Sequence, residues 1–268
     1  MIGVFDSGVG GLTVLKALRR SLPNQDFLYL GDTARVPYGR KPAAMVRDFA
    51  LEIGAFLHGR GAEAIVVACN TASAVALTDM QQRFDIPIWG VIEPGVEAAV
   101  RATRTGNVGV IGTRGTIASG AYQKRLEARG MKVWAQACPL FVHLVEEDLA
   151  NSPEAELVAK HYLEGMPDID TLILGCTHYP VLAPMLSRVL GPRVRLVESA
   201  LVAAESVQAT LGHEGRGSAR ITHFVTGDAV AYEHTAGVIG GVEGEIIAMP
   251  VSELRHMDRS LANQNSGA

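Results

Sequence analysis

Cysteine is scarce in this chain, with three residues among 268. No Cys-x-x-Cys pair occurs, so zinc and thioredoxin-type sites lack their spacing. Long apolar runs are missing too. None approaches the ~20 residues that a membrane-spanning helix needs. Basic residues neither dominate nor cluster: 24 Lys and Arg stand against 28 Asp and Glu, a formal net charge of −4. That balance excludes the basic footprint of a nucleic-acid binder; the pair Arg101 and Arg104 reads as solvated surface. Tandem repeats and low-complexity linkers are also lacking. The opening Met-Ile-Gly-Val-Phe-Asp runs straight into a strand pattern, with no basic n-region or cleavage site. The expectation is a cytoplasmic protein whose thiols are free.

What is present is glycine, 29 residues, and a 48% hydrophobic share, enough to build a sizeable core. Short apolar runs alternate with helical patterns. Strands are expected at Met1–Phe5, Phe27–Leu30, Ala64–Ala68, Ile88–Val91, Val108–Ile111, Lys132–Ala135, Thr171–Leu174 and Arg195–Val197. Helical spacing fills the gaps, as in Leu12, Leu15, Leu18 and Leu22, and in Pro42–His58. This alternation predicts βαβ units and parallel sheets buried on both faces. A second cycle begins near Glu93. The tail adds a helix after about Glu205 and strands at Arg220–Thr226 and Glu245–Ala248; pattern alone does not say which half they join. Residues 261–268 are expected to fray.

Cys69 and Cys176 each stand where an apolar strand gives way to a polar turn: Val-Val-Ala-Cys69-Asn70-Thr71 and Ile-Leu-Gly-Cys176-Thr177-His178. Ligands bind at the carboxyl ends of strands in α/β proteins. Two thiols facing one small molecule could remove a proton from one side and deliver one from the other, which inverts a stereocentre. Either cysteine alone would read as an inert buried hydrophobe; the repeat is what argues otherwise. Cys69 falls at a helix start, a setting that favours thiolate. His178 could serve as acid or base. A Cys176–His178 nucleophile would suit a hydrolase or transferase, but would leave Cys69 unexplained. Cys138, before Pro139, reads as structural.

The opening Asp6-Ser7-Gly8-Val9-Gly10-Gly11 is a glycine-rich turn into a helix. It misses the dinucleotide fingerprint, because Thr13 holds the third glycine position. Backbone amides there suit a carboxylate instead; Asp6 either contacts substrate and thiol or caps the helix. Tyr38 and Gly39 lie in a loop shaped by Pro37. Thr113 and Thr116 mark another anion-friendly turn or a simple cap. Glu146, Glu147 and Asp148 form an acidic helix end, by default a solvated face.

Phe5-Asp6-Ser7-Gly8-Val9-Gly10-Gly11-Leu12, Gly31-Asp32 with Pro37-Tyr38-Gly39, Ala68-Cys69-Asn70-Thr71-Ala72 and Gly175-Cys176-Thr177-His178-Tyr179-Pro180 together resemble the bacterial glutamate racemases. Thr226-Gly227-Asp228 looks like a further block of that family. The resemblance implies two pseudo-symmetric α/β domains with mainly parallel sheets and the active site in the cleft between them. The expected division is residues 1–92 with about 205–268, and residues 93–204. It also implies interconversion of L- and D-glutamate without pyridoxal phosphate, other cofactor or metal, supplying D-glutamate for peptidoglycan. Glutamate is the implied partner, with neither nucleic acid nor membrane, and a homodimer is expected. By motif, Cys69 would take the α-proton of D-glutamate and Cys176 that of L-glutamate. Asp6, His178 and Glu146 would assist, although His143 stands where that last block would carry proline. Asp6, Ser7, Tyr38, Gly39, Asn70, Thr71, Thr113, Thr116, Thr177 and His178 would bind substrate. An aspartate racemase and a non-catalytic amino-acid binder are the competing readings.

Overall fold

The computed structural model describes residues 1–212 and 217–265, with side chains described up to residue 259. Ten strands are present: β1 Ile2–Asp6, β2 Phe27–Gly31, β3 Ala64–Val67, β4 Ile88–Gly90, β5 Asn107–Gly112, β6 Lys132–Ala137, β7 Thr171–Gly175, β8 Arg195–Glu198, β9 Ile221–Val225 and β10 Glu245–Ala248. Twelve α-helices connect or flank them: α1 Leu12–Ser21, α2 Ala43–Gly59, α3 Asn70–Arg83, α4 Ile92–Ala102, α5 Arg114–Ser119, α6 Ala121–Glu127, α7 Leu140–Glu146, α8 Pro153–Tyr162, α9 Ala183–Leu190, α10 Ser199–Leu211, α11 Ala229–Val238 and α12 Val251–Asn265. Each strand expected from the sequence is there, with ends shifted by at most two residues.

The strands form two sheets, and every pairing is parallel. One has the order β10-β9-β2-β1-β3-β4, the other β6-β5-β7-β8. The tail strands β9 and β10 extend the first sheet beyond β2, the point that pattern alone left open. Helices cover both faces, so central strands such as β1, β3 and β7 are buried along their whole length. This is why their sequences are continuous apolar runs.

Three apolar cores result. One, under α2 and α12, includes Val46, Phe56, Val67 and Leu254. Another, under α4 and α6, includes Val96, Val108, Tyr122 and Leu126. The third is shared by both sheets. It holds Val4, Leu18 and Leu22 beside Leu174, Met185, Ala203 and Val207, because α10 packs against both α1 and α4. Each large side chain buried there contributes ~1.5–3 kcal/mol.

Two expectations are corrected. The helix placed after about Glu205 starts at Ser199, directly after β8. Residues 261–265, expected to fray, are helical and continue α12, while 266–268 lie outside the described residues. The anchor is upstream: Leu254 is fully buried and Glu253 and Asp258 pair with Arg60 and Arg83. Once a helix is started, each further residue adds a hydrogen bond at little cost.

Candidate active site

Sheet register places the chemistry. Gly112 of β5 lies opposite Gly175 of β7, so the next residues, Thr113 and Cys176, emerge side by side. In the other sheet Phe5 pairs with Val67, which sets Asp6 and Ser7 beside Ala68 and Cys69. Gly175 has no room for a side chain: a Cβ there would sit 2.7 Å from the Ile111 carbonyl oxygen. The carboxyl ends of both sheets thus open onto one cleft, lined by Ser7, Tyr38, Gly39, Cys69, Asn70, Thr71, Thr113, Glu146, Cys176, Thr177 and His178, among others.

The two thiols have different surroundings. Cys69 is the N-cap of α3, and its Sγ donates to Ser7 Oγ at 3.9 Å. Burial, and then the nearby Asp6 carboxylate, push its thiol up to about 12, although the Ala72 amide pulls the other way. The helix start was expected to favour thiolate here; desolvation outweighs it. Cys176 precedes a turn at Tyr179–Leu182 instead of an α-helix. Its Sγ lies 3.9 Å from His178 Nδ1, and the far nitrogen, Nε2, lies 3.0 Å from Glu146 Oε1. Burial disfavours charge on His178, but Cys176 and Glu146 on its two sides prevail and raise it to about 10. Burial likewise opposes charge on Glu146, and the His178 contact overcomes it and lowers this carboxyl. Glu147, the neighbour that could have filled this role, is exposed.

Asp6 and Thr116 do not reach the cleft surface. Asp6 is 1% exposed. It accepts from the Gly8 amide at 3.0 Å and from the Thr177 hydroxyl at 3.3 Å, so it ties the glycine-rich turn to the Cys176 turn from behind. Burial raises its carboxyl, against the pull of His178 and of these donors. It gives α1 no side-chain cap. Thr116 belongs to a three-hydroxyl cluster: Thr71 to Thr113 is 2.9 Å, Thr71 to Thr116 3.1 Å and Thr113 to Thr116 3.0 Å. The cluster fastens the start of α3 to the start of α5, and Thr113 also caps α5 by accepting from the Thr116 amide.

Tyr38 lines the cleft with its ring, since its hydroxyl donates to Asp32. Asp32 gathers the Arg35 guanidinium at 2.7 Å and the Thr226 hydroxyl at 2.8 Å, holding the 33–39 loop in place. The Val36–Pro37 peptide in that loop is cis. The Thr226-Gly227-Asp228 block therefore secures this loop and caps α11. Cys138 is buried in the shared core, away from the cleft lining.

Several residues of the site carry no signal in the sequence. Arg40, Arg114, Val142 and His143 also line the cleft, and only adjacency to Gly39, Thr113 or Glu146 could have pointed to them. Tyr122 donates to Asn70 Oδ1 from α6, a contact across 52 residues that no local motif announces. Among the described residues, no group of three or more His, Cys, Asp or Glu side chains could hold a metal ion, and no helix is long and apolar enough to cross a membrane.

Residues 2–207 match the family model for Asp/Glu/Hydantoin racemase. The chain is 55% identical over 244 residues to a glutamate racemase of Thermus thermophilus, covering 89% of this chain and 92% of the relative. The crystal structure of the Thermus thermophilus glutamate racemase with β-chloro-D-alanine superposes with a TM-score of 0.85 at 52% identity, covering 94% and 97% of the two chains. That of the Francisella tularensis glutamate racemase with D-glutamate superposes with a TM-score of 0.83 at 34% identity, covering 93% and 97%.

Proposed function

The chain belongs to the glutamate racemases of the Asp/Glu/Hydantoin racemase family, and on that premise we propose that it inverts glutamate by proton transfer between Cys69 and Cys176. The observation that carries this reading is the cleft itself: two thiols, at the ends of strands from different sheets, line one cavity. His178 stands beside Cys176, and we assign Asp6, whose carboxylate acts on the Cys69 thiol through space, to the other side.

The proposed cycle starts from one resting state. Cys69 holds its proton. His178, raised to about 10, takes a proton at neutral pH and stands as imidazolium against Cys176. In the proposed cycle Cys176 passes its proton to His178 and takes the α-proton of L-glutamate, and the Cys69 thiol protonates the opposite face. The products are D-glutamate, a Cys176 thiol and a Cys69 thiolate. Asp6, its carboxyl raised by burial, lies near that second thiolate. Reverse turnover restores the first state.

The α-carbanion has no cofactor to spread its charge over, so fixed donors must stabilise it in a water-poor cleft. Ser7, Asn70, Thr71, Thr113 and Thr177 supply hydroxyls and amides along the wall. Asp6 and Thr116 act from behind them. In this reading each sheet with its helices is one domain, residues 1–92 with about 205–268 and residues 93–204. The family resemblance carries with it a cytoplasmic homodimer supplying D-glutamate for peptidoglycan.

The test is incubation of the protein with L-glutamate in D2O. Loss of the α-hydrogen signal in proton NMR, with deuterated D-glutamate on a chiral column, is expected. Cys69→Ser and Cys176→Ser should each abolish racemisation. In Cys176→Ser, slow deuterium entry should survive only into D-glutamate, on the Cys69 face. Undiminished racemisation by either variant would refute the two-thiol mechanism, and turnover of aspartate but not glutamate would refute the substrate.

A further inference from the structure

Tyr122 is fully buried on α6, yet it touches the flanks of both cysteine turns. Its hydroxyl donates to Asn70 Oδ1 at 2.7 Å, next to Cys69. Its ring edge would be 3.2 Å from a Cβ at Gly175, next to Cys176. The same hydroxyl lies 3.1 Å from Ser199 Oγ at the start of α10. Space for this meeting exists because residue 95 is glycine: a Cβ there would be 2.6 Å from Ser199 Oγ and 3.2 Å from the Tyr122 hydroxyl.

A side-chain amide has one acceptor end and one donor end. With its single hydrogen committed to Asn70, the Tyr122 oxygen is left to accept from Ser199. The direction of the relay is then fixed: Ser199 donates to Tyr122, and Tyr122 to Asn70. Asn70 lines the cleft with its carbonyl end occupied, so its NH2 end is the one available to a ligand. A donor there suits a carboxylate; a flipped amide would turn lone pairs toward the same anion.

We infer that Tyr122 is a positioning residue, which with Ser199 locks the Asn70 amide in the rotamer that presents NH2 to a carboxylate of the bound amino acid. This rests on the cleft being the glutamate site proposed above. It adds that the affinity of a cleft residue from one sheet is set by a phenol anchored among helices of the other.

The experiment is a double-mutant cycle read on KM for both enantiomers. Tyr122→Phe keeps the ring and its packing and removes only the hydroxyl. Freed from its donor, the amide loses its orientation, and KM for L- and D-glutamate should rise about tenfold, the scale of one hydrogen bond to a charged group. The kcat should stay within about threefold. In an Asn70→Ala background the same substitution should add nothing. Ser199→Ala, which leaves the Tyr122 hydroxyl free to donate, should shift KM in the same sense but less. An unchanged KM in Tyr122→Phe would overturn the proposal. So would an equal rise with Asn70 already removed, the mark of a merely structural role. Where saturation is out of reach, kcat/KM fills the cycle. Wild-type turnover and its loss in Cys69→Ser decide the two-thiol reading separately, whatever the cycle gives.

Discussion

Gly10 stands against the His178 ring, and Gly10→Ala perturbs the Cys176 side of the site without replacing a titratable group. A Cβ at position 10 would fall 2.5 Å from His178 Nδ1 and 2.7 Å from Cε1, and would also collide with the Thr177 hydroxyl. Ordinary contact begins at 3.4 Å, so the ring must retreat by about 1 Å. It cannot do so freely. Nε2 is held at 3.0 Å from Glu146, Nδ1 faces Cys176 Sγ at 3.9 Å, and Thr177 is tied to Asp6. A displacement of that size in a proton-transfer site costs on the order of 10²-fold in rate. The crowding itself should cost ~1–3 kcal/mol, lowering Tm by roughly 2–4 °C per kcal/mol in a chain of this size. L- and D-glutamate are mirror images, so their equilibrium constant is one. The kcat/KM must therefore fall equally in both directions, while kcat and KM separately need not. Circular dichroism, polarimetry or a coupled D-glutamate assay measures both directions. His178→Asn added to Gly10→Ala should cost little more than Gly10→Ala alone, since the ring is already misplaced. A kcat within about threefold of wild type would refute the argument that His178 has no room to move.

The His178–Glu146 pair makes stability depend on pH in a defined direction. The folded value of His178 is raised, from 6.5 to about 10, so its contribution is fully present below about 6.5 and fades as pH rises toward 10. Glu146 is lowered from 4.5, so its share is lost as pH falls through the acidic range. The Tm deficit of Glu146→Gln should thus be largest near pH 5–6.5 and shrink toward pH 10; a deficit that grows with pH would contradict the pairing. Asp32→Ala leaves the 8%-exposed Arg35 with Glu52 as its one remaining carboxylate partner among the described residues. It should cost ~1–3 kcal/mol in chemical denaturation and raise KM through the released 33–39 loop. Thr71→Val breaks two of the three contacts in the hydroxyl cluster and should raise KM more than it lowers Tm. Cys138→Ala should leave kcat and KM as they were and lower Tm slightly, since Cys138 only fills the core; lost activity would place it in the chemistry.

The strands were legible because burial on both faces writes them as unbroken apolar runs, Ile-Val-Val and Leu-Ile-Leu among them. The two cysteine turns were legible because each interrupts such a run with polar residues. What stayed hidden was long-range. Nothing near Tyr122 signals that it meets Asn70 and Ser199, because the contacts span 52 and 77 residues. The burial that raises the Cys69 thiol was equally hidden. Cys69 does cap a helix, as its position implied, but desolvation overrides a helix start, and burial of one atom cannot be read from its neighbours in sequence. The α12 helix was missed because its tail is polar; its anchors lie at Leu254, Glu253 and Asp258, and their partners are on distant α2 and α3.

The return of β9 and β10 to the first sheet has a consequence for how the molecule is made. During synthesis the β2 edge of that sheet stays bare until residues 221–248 emerge, whereas β5 to β8 form an uninterrupted stretch that can pair while translation continues. Thr226, which completes the grip of Asp32 on the loop bearing Tyr38 and Gly39, arrives after every other residue assigned to the cleft. The nascent chain can hold both thiols long before it can close their pocket, so competence is deferred until residues 221–248 have emerged. A ribosome-stalled chain ending before residue 221 should be folded in its second sheet and silent toward glutamate.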